Sequence, residues 1–190
     1  FLIGFTLIIA FLLVFSYLSF AQEATVRPSL NASVTQRLGV DTDITIDYSR
    51  PGVKGRTIWG ELVPYGLASG NKYSKGKPFP WRAGANENTT IEVSKDVLIE
   101  GSKLPAGKYG IHMIPGKKEW VIIFSKNNSL NGSYLYNQEE DALRVTVSCV
   151  EAPHQEWLSF GFEDLAGTAA SAFLHWEKVK VPFKIELPKE

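Results

Sequence analysis

The sequence predicts an all-β fold, a single-domain β-sandwich or jelly-roll-like barrel of about ten strands with one long structured loop. Three observations carry this. Apolar residues alternate with polar ones at period two from residue 44 to residue 187. Turn signals built on Gly, Pro and Asn recur roughly every 8 to 12 residues, and no stretch holds a sustained helical period with caps.

In chain order, residues 1–21 carry no charge and end in Ser19-Phe20-Ala21, small residues where a signal peptidase tests them. They are expected to be a signal peptide, with Gln22 as the mature N-terminus. Left uncleaved, the run would be an N-terminal membrane anchor, since a span needs roughly 20 apolar residues. Both readings export the rest of the chain to the periplasm or beyond. Residues 22–32 read as an extended lead-in, and residues 33–190 as the sandwich domain.

The first clear strand alternates Ile44, Ile46 and Tyr48 with Thr45 and Asp47, and Arg50-Pro51-Gly52 ends it. Residues 53–73 form the long loop, with one helical turn expected at 57–62, and the Lys- and Pro-containing stretch 71–80 is an exposed tip. Strands follow at 89–93, 97–99 and 109–113. The run Trp120-Val121-Ile122-Ile123-Phe124 suits a strand covered on both faces. A polar loop at 127–141 precedes strands at 143–150, 157–163, 170–177 and 179–187, the last with Pro182 near an edge.

Lys plus Arg and Asp plus Glu number 20 each, and charge changes sign along the chain without long runs. That excludes the basic surplus of a nucleic-acid binder. The single Cys149 cannot pair within the chain, and Leu143, Val145 and Val147 on its strand face predict burial rather than a catalytic thiol. There is no Gly-x-Ser-x-Gly elbow, phosphate loop or His-Glu-x-x-His pair, so neither a cofactor nor a metal site is expected. Asn31, Asn88, Asn127 and Asn131 each begin a glycosylation triplet.

Unusual residues concentrate in two segments, 49–66 and 81–90. Both mix Trp, Arg, Gly and a polar amide or carboxylate, the chemistry of a polar-ligand cleft. Trp59, Tyr65 and Trp81 would stack on the ligand, Arg56 and Arg82 would make ionic contacts, and Asn86 and Glu87 would hydrogen-bond. The competing reading has Trp59 and Tyr65 plug one end of the sandwich while Arg56 or Arg82 pairs with Glu61 or Glu87. His112 is expected tucked and hydrogen-bonded, with a place among the candidates because a buried His can serve as a base. His175 is assigned to the surface and His154 to a solvated loop.

The segments Tyr48-Ser49-Arg50-Pro51, Gly55-Arg56, Trp59-Gly60, Leu62-Val63-Pro64-Tyr65-Gly66, Trp81-Arg82-Ala83-Gly84-Ala85-Asn86 and Leu104-Pro105-Ala106-Gly107-Lys108-Tyr109-Gly110 resemble domain of unknown function 2911, secreted proteins of Bacteroidetes-type bacteria. The resemblance runs from about residue 38 to residue 187. It implies an exported β-rich domain and transfers no catalytic residue. The expected role is binding of a small polar ligand, glycan or peptide. The alternatives are a hydrolase using Glu87 or His112, and a structural module of the cell envelope. No nucleic-acid partner is expected, and a membrane is a partner only through an uncleaved leader.

Overall fold

A computed structural model describes residues 26–189. The expected signal peptide lies outside them. Ten strands occupy Leu30–Leu38 (β1), Thr42–Arg50 (β2), Thr89–Val93 (β3), Val97–Ile99 (β4), Ser102–Leu104 (β5), Gly107–Ile114 (β6), Glu119–Ser125 (β7), Asp141–Ser148 (β8), Val150–Glu163 (β9) and Ala169–Glu186 (β10). They form two antiparallel sheets in the orders β1-β2-β3-β6-β7-β8 and β5-β4-β10-β9. This is a sandwich, not a closed barrel.

Alternation in the sequence becomes inside and outside here. Ile44 and Ile46 of β2, Ile91 of β3, Ile111 and Met113 of β6, and Ile122 and Phe124 of β7 are fully enclosed. They face Leu158, Leu174, Phe183 and Ile185 of the second sheet. Tyr48 meets Phe160 edge-on at 5.1 Å and Phe124 meets Phe183 at 6.2 Å. Each large side chain buried this way contributes about 1.5–3 kcal/mol.

Several local expectations change, the first being that β1 starts at Leu30, inside the stretch expected as a lead-in. The two strands expected at 170–177 and 179–187 are one 18-residue strand. Its buried positions shift from the even series Ala170 to Trp176 to the odd series Val181 to Ile185, because bulges flank Glu177, whose φ is 57°. Pro182 lies between the residues that pair with β9, ending at Lys180, and those that pair with β4, starting at Ile185. A residue without an N–H fits that gap, so no edge position is needed. At 57–62 there is no α-helix. Leu62 N–H reaches Thr57 O and Val63 N–H reaches Ile58 O, a wide turn that buries Ile58 and Val63 in the core.

His154 lies in strand β9 rather than in a loop, although it is exposed as expected. Cys149 is half-buried just beyond β8.

Candidate functional site

The 38 residues between β2 and β3 make the site. A connection this long in a compact domain is ordered only if its backbone finds partners. Trp81 and Met113 exchange two N–H to O bonds of 2.8 Å, and Gly66 N–H reaches Pro115 O at 2.7 Å. Ala68 pairs with Phe79, Val53 N–H bonds Glu156 O, and Leu158 N–H bonds Pro51 O. The loop is thus stitched to β6 on one side and β9 on the other.

Four of the five tryptophans fasten it. Trp59 stands edge-on to Trp81, Trp120 and Trp176 at 5.8, 5.0 and 5.7 Å, while Trp81 and Trp176 stack at 6.1 Å with 14° between planes. Edge-to-face contact sets the positive rim of one ring against the negative face of the next. Two of these rings come from the loop and two from the opposed sheets, so the cluster couples loop order to sandwich closure.

The loop encloses a cavity of about 640 Å³. Arg56, Trp81, Arg82 and Asn86 line it, joined by Phe79, Tyr134 and Trp176. Arg56 donates from Nε to Val53 O at 3.1 Å and from Nη2 to Gly52 O. Arg82 donates from Nη1 to Asn86 O and lies 5.2 Å from the centre of the Tyr134 ring. Gly132 touches the same guanidinium: a Cβ there would sit 2.5 Å from Arg82 Cζ, and the φ of 80° also asks for glycine. Asn86 turns its Nδ2 to Ser29 O, so the lead-in ahead of β1 supplies one wall. Ala83 at φ 54° and Asn86 at φ 58° are left-handed, and an alanine in that region is strained by roughly 1–2 kcal/mol.

The other candidates go elsewhere. Trp59 belongs to the aromatic cluster. Tyr65 is 42% exposed and lies over Gly60. Glu87 pairs with Arg27 on the exterior, and hydrogen bonds from its own backbone N–H and from Arg27 hold its carboxyl below the usual range. His112 is fully enclosed. Its Nδ1 meets Ser133 Oγ at 2.7 Å, its Nε2 faces Asn88 Nδ2 at 3.4 Å, and Tyr136 packs edge-on against the ring. Burial lowers its pKa to about 4, so it stays neutral and ties the loop after β7 onto the sheet. Among the described residues no hydrogen bond joins Glu87 to His112, and neither Glu61 nor Glu87 pairs with Arg56 or Arg82. The triplet at Asn88 is buried in the folded chain.

Sequence reasoning missed Tyr134, Ser133 and Trp176 as lining residues, and Lys54, whose ammonium stands 5.4 Å from the centre of the Trp157 ring. One signal was available. Residues 49–86 hold seven Lys and Arg against the single Glu61, a net charge of +6 inside a chain whose total is zero.

Residues 29–185 match the model of a family described as "Protein of unknown function (DUF2911)". No curated protein and no solved structure matches the chain.

Proposed function

The chain belongs to that family of unknown function, and from the cavity in its β2–β3 connection we propose that it is an exported ligand-binding domain taking a small polar ligand, or the end of a glycan or peptide. The observation behind this is the convergence of Arg56, Trp81, Arg82 and Asn86 on one concavity of about 640 Å³. That volume lies within the roughly 300–1,000 Å³ of small-molecule sites, and apolar walls with a few fixed polar groups are their usual make-up. The apolar leader is the reason for placing this binding outside the cytoplasm.

The hydrolase reading has less behind it. It needs Glu87 and His112 to meet in an open cleft, whereas one is held by Arg27 outside and the other is enclosed. The envelope-module reading calls for a surface without a cleft.

Screening the protein against soluble glycan and peptide libraries tests the proposal. Binding is expected for the wild type and is expected to weaken strongly in Arg56→Gln, whose side chain lines the cavity without a place in the aromatic cluster. Binding that survives both Arg56→Gln and Arg82→Gln would move the site elsewhere.

A further inference from the structure

We propose that the cavity selects a ligand carrying a carboxylate on or beside a ring, such as an acidic sugar or the carboxylate end of a peptide. This rests on the binding reading above and adds the charge of the ligand. Lys54, Arg56 and Arg82 line the cavity, and among the described residues no Asp or Glu does; the Glu156 carboxylate beside Gly52 accepts from the Lys54 backbone N–H. The surrounding segment carries net charge +6. Positive charge gathered in a concavity with apolar walls raises the local concentration of anions.

The two guanidiniums are oriented but not consumed. Arg56 uses two of its five N–H donors on carbonyls and Arg82 uses one on Asn86 O, and among the described residues neither has a carboxylate partner. Gly132 and Tyr134 pack against Arg82, which fixes its plane. A fixed guanidinium plane matches the two oxygens of a carboxylate.

Phe79, Trp81 and Tyr134 offer apolar surface for the ring.

Calorimetric titration with matched pairs decides the question: an oligouronate and its methyl ester, a peptide with a free and with an amidated C-terminus, and a sulfated sugar of the same core. The charged member of at least one pair should bind about tenfold tighter or more, roughly the worth of one charge-assisted contact. That gap should close in Arg82→Gln and Arg56→Gln, stay partly open in Arg56→Lys, and narrow with added salt. Thermal melts show that each variant is folded. If only the peptide pair shows the gap, the carboxylate stands and its source is a peptide. Equal affinity within every pair overturns the carboxylate but leaves the binding domain standing, and tighter binding of the sulfated sugar replaces carboxylate with sulfate. No binding by any probe overturns both readings.

Discussion

On the sheets and the turns between their strands, cations and carboxylates answer one another: Arg37 with Asp43, Lys95 with Asp41, Lys103 with Asp96 and Lys184 with Glu186, each within 2.7 Å. Around the cavity, Arg56 and Arg82 are held by backbone carbonyls and an aromatic ring. Both arrangements fix a side chain. Only the first cancels its charge, so the second region keeps a positive field that an anion can enter.

The largest expected effect comes from unfastening the loop. Trp59→Ala removes a ring that stands edge-on to the other three tryptophans of the cluster and should cost about 3–5 kcal/mol, as large aromatic truncations do. Chemical denaturation measures it, and hydrogen exchange should rise first in residues 49–86. A loss below about 1 kcal/mol would mean that the backbone bonds alone hold the loop.

Acid comes next. The unfolded chain takes up a proton on His112 near the ordinary pKa of 6.5, while the folded chain refuses it until about pH 4. Stability from this source is therefore complete above about pH 6.5 and is lost as pH falls toward 4, by about 1.4 kcal/mol per pH unit. Melting curves between pH 7 and 4.5 should show that slope in the wild type, and a flatter profile in a less stable His112→Gln variant. Equal slopes would assign the acid sensitivity to other groups.

A smaller effect sharpens the contrast at the cavity itself. Gly132→Ala meets both a left-handed backbone and the Arg82 guanidinium, and should cost about 1–2 kcal/mol while displacing Arg82. Ligand affinity should then fall by more than the stability loss accounts for, since the folded fraction stays near one. The smallest effect belongs to the sheets: Arg37→Gln breaks an exposed pair and should leave both melting temperature and binding nearly unchanged. A large shift there would erase the distinction between the two regions.

Most of the sandwich was legible because a strand's alternation is a local property. Ile44, Ile46 and Tyr48 turn inward one by one whatever the distant chain does. Even the bulge in β10 left a trace, a break in that rhythm between residues 177 and 179 that reads equally well as a turn. The site was half legible. Arg56, Trp81, Arg82 and Asn86 lie in the segments their composition marked, and the cavity brings them together. Glu87, one residue beyond Asn86, points to Arg27 instead, a partner 60 residues away.

Composition and periodicity by themselves determined an all-β chain, most of its strands, the two marked segments and the local surplus of positive charge. Tertiary structure alone decided that Ser29, Tyr134 and Trp176 close the cavity, that Trp59 serves the cluster, and that His112 is sealed under Ser133 and Tyr136. The physical reason is range: side-chain alternation is set between adjacent residues, whereas a cavity wall is set by backbone pairing and ring packing across 50 residues or more, which no local pattern encodes.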